Sequence, residues 1–377
     1  MKLQKISLVN FRNYEKLSLK FNPHVTIFIG KNAQGKTNLL ESIYMLALTK
    51  SNRKGLEENF IRFGSYKAKI KGTIKQDRIY KDLEVQLFNQ SKKVFYNNNE
   101  IRKISDYISY MNVILFTPDD LDIIKGSPSV RRNLLNVEIS QISKKYLNAH
   151  NLYNKLLKTR NEYLKLLYTN SLSDETYLNI LTEKLIDQAI TIYQERHAFL
   201  EQINENIASI YEQITGFKNL KIKYLPNLEI SSFVNEDIAK TLEKKLNSNR
   251  KKEEILGTTL YGPHRDDFAF YLNDKDLKVF GSQGQQRLAV IAFKLAEITI
   301  FYKKTNTYPI LLLDDLFSEI DRSKKNQLLK YISGEMQTII TATDLSDMKK
   351  SLLEDATIYE VKNGIIREKV GNKNGRK

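Results

Sequence analysis

Gly30-Lys31-Asn32-Ala33-Gln34-Gly35-Lys36-Thr37 has the spacing G-x-x-x-x-G-K-[ST]. An apolar run, Val25–Ile29, precedes it. Thr37–Leu48 follows with helical spacing, placing Leu40, Ile43, Tyr44 and Ala47 on one face. Strand, glycine-rich turn and helix in that order make a phosphate cradle. The two glycines let the backbone curve without a Cβ clash, so that successive N–H groups point inward. The helix start adds unpaired N–H groups and the positive end of its dipole. On this reading residues 30–37 bind the nucleotide. Lys36 reaches the β- and γ-phosphates, and the Thr37 hydroxyl is a ligand for Mg²⁺.

A second site follows from the first. Leu311-Leu312-Leu313-Asp314-Asp315 is a buried-strand pattern ending in adjacent carboxylates, which requires a compensating cation. Beside a phosphate loop that cation is Mg²⁺, with Asp314 as its ligand. Asp315, one residue on, is the carboxylate placed to orient and polarise an attacking water. A third feature is Gly281-Ser282-Gln283-Gly284-Gln285-Gln286-Arg287, ahead of the apolar helix Gln283–Lys303. Ser282 is placed as a cap, and Gly284 permits close backbone approach at a second anion-attracting helix start. Two such starts in one chain fit a head-to-tail homodimer. Each triphosphate then lies between the phosphate loop of one copy and Ser282, Gly284 and Gln285 of the other.

The rest of the chain sets the frame. Its 377 residues exceed what one core usually supports. Lys and Arg number 60 against 44 Asp and Glu, a net charge of +16 that points to a polyanion. There is no cysteine, which excludes disulfides, thiol catalysis and cysteine-held metals, and four histidines are too few for a His-rich metal site. No apolar run has the ~20 residues of a membrane span, and the charged N-terminal stretch does not read as a secretory signal. Short strands are expected at Lys2–Val9, Leu17–Phe21, Asn112–Phe116 and between Ala68 and Tyr96, with a turn at Asn97-Asn98-Asn99. From Ser129 to about Leu166 and from Ser173 to about Thr215 the period is helical; Leu178, Leu185, Ile192 and Phe199 recur every seven residues, as in a packed helix hairpin. Strands resume at Lys221–Leu225, Phe268–Leu272, Ile310–Leu313, Thr338–Thr341 and Ile358–Lys362. The expected architecture is α/β: a discontinuous head domain, residues 1–125 with 250–377, interrupted by a short helical arm, residues 126–249.

The order of these motifs resembles the ABC-type ATPases of chromosome maintenance, the SMC-like group. The resemblance rests on Asn10-Phe11-Arg12-Asn13-Tyr14, the loop Gly30–Glu41, Phe116–Leu121, Lys125–Pro128 with Arg131-Arg132, Gly262-Pro263-His264-Arg265-Asp266-Asp267, the Ser282 region and Leu313–Asp321. With only about a hundred residues between the halves, the match is to the short-armed recombination mediators rather than to long coiled-coil members. The resemblance implies an ABC-type head and a cytoplasmic protein that binds ATP and DNA and dimerises with ATP. It implies a weak, DNA-stimulated ATPase acting at single-stranded or gapped DNA in replication, repair and SOS induction. Partners so implied are RecO- and RecR-like mediators and RecA, with no membrane. Arg12 would touch the nucleotide, and Ser318–Asp321 would cross the dimer interface.

Departures from the group matter. Thr343 stands where many ABC ATPases carry a switch histidine, and Asp315 where many carry Glu; both point to slow hydrolysis. Thr117-Pro118-Asp119 occupies the region where a glutamine would be expected. DNA contact should be to phosphates, without base reading. Lys67–Lys75, Arg102-Lys103, Arg131-Arg132 and Lys244–Lys252 are the candidate stretches, each singly more typical of a solvated face. The Gly262–Asp267 stretch either couples nucleotide state to the arm or is a turn held by an Arg–Asp pair. A nucleotide-binding subunit of an ABC transporter is the competing reading; it predicts a switch histidine and no basic excess.

Overall fold

The computed structural model describes residues 1–53, 57–169, 174–316, 320–321, 324–325, 327–328, 331, 334–345, 353 and 356–369. The chain divides into two compact units. One comprises residues 1–120, 213–215 and 297–377, the other 121–212 and 216–296.

The first unit holds two six-stranded sheets. One is antiparallel, in the order β2-β1-β4-β5-β6-β7, from β1 (Lys2–Phe11), β2 (Tyr14–Lys20), β4 (Lys67–Gln76), β5 (Ile79–Phe88), β6 (Ser91–Tyr96) and β7 (Asn99–Ile101). Its strands alternate: Ala68, Ile70 and Ile74 are buried, while Lys69 and Lys71 face out and pair across the sheet with Glu84 and Asp82 at 2.9 and 3.2 Å. The turn expected at Asn97 is present, with Asn97 and Asn98 at φ 48° and 66°.

The other sheet runs β15-β14-β3-β13-β12-β8, from β3 (Val25–Ile29), β8 (Val113–Phe116), β12 (Ile310–Asp314), β13 (Thr338–Ala342), β14 (Ala356–Lys362) and β15 (Ile365–Glu368). All its pairings are parallel except β14 with β15. Every residue of β3, β8, β12 and β13 is buried, which is why these strands read as continuous apolar runs rather than alternating ones. The helix Lys36–Leu48 contacts both sheets, with all of Leu39–Leu48 buried. Ligands of such sheets bind beyond the carboxyl ends of the strands, where β3 and β12 deliver Gly30 and Asp314.

The helices of the second unit include Pro128–Ile142, Lys144–Tyr168 and Glu175–Thr215, with residues 213–215 of the last clustering with the first unit, together with Asn235–Ser248 and Arg250–Leu256. The single helical stretch expected from Ser129 to Leu166 breaks at Ser143, whose extended backbone ends one helix while its hydroxyl accepts from the Tyr146 N–H to cap the next. The seven-residue stripe is core: Leu178, Leu185, Ile192 and Phe199 are all buried. A three-stranded sheet, β11-β10-β9, joins β9 (Leu220–Leu225), β10 (Asp267–Leu272) and β11 (Lys275-Asp276).

The boundaries therefore differ from those expected at residues 126 and 249. Residues 250–296 cluster with the arm helices because buried ion pairs tie them there. Arg160 bonds Glu253 at 2.8 Å, and Arg196 bonds Asp266 at 3.1 Å and the Pro263 carbonyl at 2.6 Å. Such pairing between distant positions leaves no trace in local periodicity.

Candidate functional site: a phosphate-loop cleft

Above β3 the chain enters Gly30 with φ +155°, and a Cβ there would lie 2.4 Å from the Val361 carbonyl oxygen of β14. Gly35, at φ +110°, would clash with the Asn13 amide at 2.5 Å. Both glycines are thus required by close approach as well as by curvature. Lys36, almost wholly buried, donates from Nζ to the Gly30 carbonyl and to that of Lys31 at 2.9 Å. Burial lowers its pKa, opposed by the charges of Asp315 and Asp314. The ammonium is therefore folded back over the loop and borders a cleft of about 390 Å³, lined by residues 32–38, Asn52, Arg53, Thr117, Pro118, Asp119, Asp314 and Asp315.

The acidic wall is held by hydroxyls. Asp314 Oδ1 accepts from Thr37 Oγ1 at 3.1 Å and from Thr341 Oγ1 at 2.7 Å. Burial raises the Asp314 pKa; the Thr341 and Thr37 hydrogen bonds and the charge of Arg53 pull the other way. Asp315 turns into left-handed backbone at φ 46°, and its N–H donates to Thr341 Oγ1 at 3.1 Å. One β13 threonine thus orients both acids.

The donor set fits Mg²⁺. Among the described residues there is no group of three or more His, Asp or Glu that could cage a metal. Mg²⁺ needs only one or two protein oxygens beside phosphate and water, and Thr37 Oγ1 and Asp314 Oδ1 stand adjacent at the cleft. A dication would also compensate the carboxylate of Asp314, whose burial raises its pKa.

Arg12 is placed differently. Its guanidinium is bidentate to buried Glu41 at 2.9 and 3.0 Å, donates to the Asn59 carbonyl and lies 4.6 Å from the Phe60 ring centre. It lines not the phosphate cleft but a cavity of about 460 Å³ with Asn13, Asn38, Phe63 and Gly64; Asn38 borders both. Arg53 and Asn52 escaped the sequence reading, and Tyr14 and Thr341 entered it only as part of a motif and of a strand, without a role at the site, since single residues on a loop or strand carry no spacing signal.

The Ser282 region belongs to the second unit. Ser282 Oγ accepts from the Gln285 N–H at 3.3 Å, and Gln285 Oε1 accepts from the Ser282 N–H at 2.9 Å, a reciprocal capping box. Buried Gln286 donates to the Leu277 and Gly281 carbonyls and fixes the turn before the helix. A Cβ on Gly284 would meet nothing within 4 Å. Its own chain therefore gives no packing reason for glycine on an exposed helix turn, where glycine costs about 1 kcal/mol against alanine. Gly262–Asp267 is a buried anchor. Asp266 is held by Arg196, Tyr224 and the Asn227 N–H, and His264 bridges Tyr153 Oη at 2.7 Å and the Thr259 carbonyl at 3.0 Å. Arg131 is bidentate to Asp267, and Arg132 donates to the Asp266 carbonyl, so both guanidinium groups are engaged inside the unit. Thr343 lies exposed in a bend. Ser318 and Glu319 lie outside the described residues; Ile320 is buried and Asp321 exposed.

A parallel sheet bearing a phosphate loop and an adjacent Asp314, joined through one helix to an antiparallel sheet, defines an ABC-ATPase-type head. The chain belongs to the RecF/RecN/SMC N terminal domain family, whose model matches residues 2–367, and within it to the RecF group. It is 42% identical to the DNA replication and repair protein RecF of Bacillus cereus over 97% of this chain and 98% of that one. It is 40% identical to RecF of Lactobacillus gasseri over 98% and 100%. A solved structure described as the recombination mediator protein RecF-ATP in the RecFOR pathway superposes with a TM-score of 0.90 at 32% identity, covering 98% of both chains. A Pyrococcus furiosus Smc head, at a TM-score of 0.54 and 15% identity, shares the fold.

Proposed function

We propose that the chain is an ATP-operated clamp of recombinational DNA repair. Nucleotide binds residues 30–37, with backbone N–H groups around the β-phosphate and Lys36 released from the Gly30 and Lys31 carbonyls to the β- and γ-phosphates. The base lies toward the cavity of Arg12, Asn38 and Phe63. Thr37 and Asp314 would hold Mg²⁺, which neutralises charge on the phosphate oxygens. Asp315, its backbone fixed through Thr341, orients the attacking water.

A second copy completes the site with Ser282, Gly284 and Gln285, so ATP drives dimerisation and hydrolysis releases it. The observation that carries this reading is the open face at Gly284, an exposed glycine in a rigidly capped helix start. Hydrolysis is slow, because Thr343 offers a hydroxyl where a cationic imidazole would serve. The dimer holds single-stranded or gapped DNA through phosphate contacts and works with RecO- and RecR-like mediators to load RecA and support SOS induction. The names of the relatives and the basic balance support this. With Arg131, Arg132, Lys69 and Lys71 engaged in the fold, Lys67, Arg102, Lys103, Lys244, Lys251 and Lys252 remain as exposed candidates.

Light scattering with and without ATP and Mg²⁺ tests the proposal. The expected result is a monomer that doubles in mass with nucleotide, a shift lost in Ser282→Arg. A monomer under both conditions would reject it.

A further inference from the structure

The motif Asn13-Tyr14 and the β14–β15 turn touch the phosphate loop from outside the cleft. Buried Tyr14 donates from Oη to the Gly35 carbonyl at 2.9 Å. The Gln34 carbonyl accepts from the Gly364 N–H at 3.1 Å and, at 3.5 Å, from Asn13 Nδ2. Gln34 Oε1 accepts from the Asn363 N–H at 2.7 Å. Asn363 and Gly364, at φ 51° and 75° between paired Lys362 and Ile365, form a two-residue turn of type I′. Its central N–H groups are not needed by the β14–β15 ladder, and both are spent on one residue of the loop.

A trans peptide is planar, with its C=O and the next N–H pointing in opposite directions. Holding the Gln34 carbonyl outward therefore points the Gly35 N–H the other way, toward the cleft. The Gly35 carbonyl, which Tyr14 shares with the Leu39 N–H at 3.0 Å, is held outward likewise, which does the same for the Lys36 N–H. We propose that Tyr14 and the Asn363-Gly364 turn are positioning elements that pre-orient the Gly35 and Lys36 amides for a phosphate, with the Gln34 side chain a strut to the turn rather than a phosphate ligand. This rests on the phosphate-loop reading.

Preorganisation of this kind is a binding term more than a stability term, since it spares the loop an ordering cost when the anion arrives. The test is titration of the full chain with a slowly hydrolysed ATP analogue and Mg²⁺, with denaturant unfolding and amide exchange measured without nucleotide. Tyr14→Phe and Gln34→Ala should each bind about threefold to tenfold more weakly, the range for losing one neutral hydrogen bond. Exchange over residues 30–36 should quicken, and the unfolding midpoint should stay near wild type. Asn363→Gly, which keeps both N–H groups and the turn, should bind as wild type. Lys36→Ala calibrates the assay: if it abolishes binding while Tyr14→Phe and Gln34→Ala bind as wild type, positioning is refuted and the phosphate loop stands. If Lys36→Ala also has no effect, both fall. Weakening that only tracks lost stability, with unchanged exchange over the loop, likewise refutes positioning.

Discussion

Thr341→Val isolates the hydroxyl that orients both acids of the cleft. Valine has nearly the same shape, so the buried end of β13 gains no cavity. What is lost is a 2.7 Å donation to Asp314 and the acceptor for the Asp315 N–H. A hydrogen bond to a charged group contributes about 1.5–3 kcal/mol, and an abandoned donor adds a share, so a loss of about 2–4 kcal/mol in unfolding free energy is expected. Thr341 is also the largest influence opposing the burial that raises the Asp314 pKa, so its removal lets that pKa climb further. With its folded pKa above the unfolded one, Asp314 stabilises the nucleotide-free fold in acid, fully below the unfolded value, and that contribution is lost as pH rises through the folded value. On the proposed reading, binding of Mg²⁺-nucleotide needs the carboxylate and runs the opposite way. In a titration with fluorescent nucleotide and Mg²⁺ between pH 5.5 and 8.5, the valine variant should bind about tenfold more weakly per unit of added pKa shift at the acid end and recover as pH rises. Thr341→Ser should track wild type. A valine variant with wild-type affinity and an unmoved pH profile would refute the coupling of Thr341 to Asp314.

Arg196→Met leaves Asp266 buried without its cation and should destabilise the chain by about 3–5 kcal/mol, read by urea unfolding; a loss below 1 kcal/mol would show that Tyr224 and the Asn227 N–H suffice. His264, lowered to about 4 by burial, is neutral in the fold, so its contribution is complete above the unfolded value near 6.5 and falls away as pH drops toward 4. Stability should decline by about 3 kcal/mol across that window, and His264→Asn should flatten the decline. Gly284→Ala should raise the stability of the nucleotide-free chain by up to about 1 kcal/mol, because its Cβ meets open space, while weakening ATP-driven dimerisation. Unchanged dimerisation would remove Gly284 from the interface.

Sequence disclosed what is local. Val25–Ile29, residues 30–37 and Leu311–Asp315 declare themselves because strand, turn and helix there are contiguous, and the central parallel sheet follows from runs buried on both sides. The capping box at Ser282 and Gln285 is likewise a spacing of three. Features made by distant pairing were not legible. The grip of Thr341 on Asp314 spans 27 residues, and the Asn363 turn meets Gln34 across 329. Arg160 and Arg196 sit within helical stretches and show no partner until Glu253 and Asp266 are brought to them from 93 and 70 residues away. β15, four residues of mixed exposure, has too short a pattern to register beside its Asn-Gly turn.

The central claim is that one triphosphate is gripped by two chains. Lys36→Ala damages only the loop half of each site, and Ser282→Arg only the opposite half. Each variant alone should fail to hydrolyse ATP. Neither variant pairs with itself through ATP, so an equimolar mixture associates only as heterodimers with one site doubly damaged and one intact, and activity should return, up to about half of wild type. A mixture as inactive as its components would contradict the account.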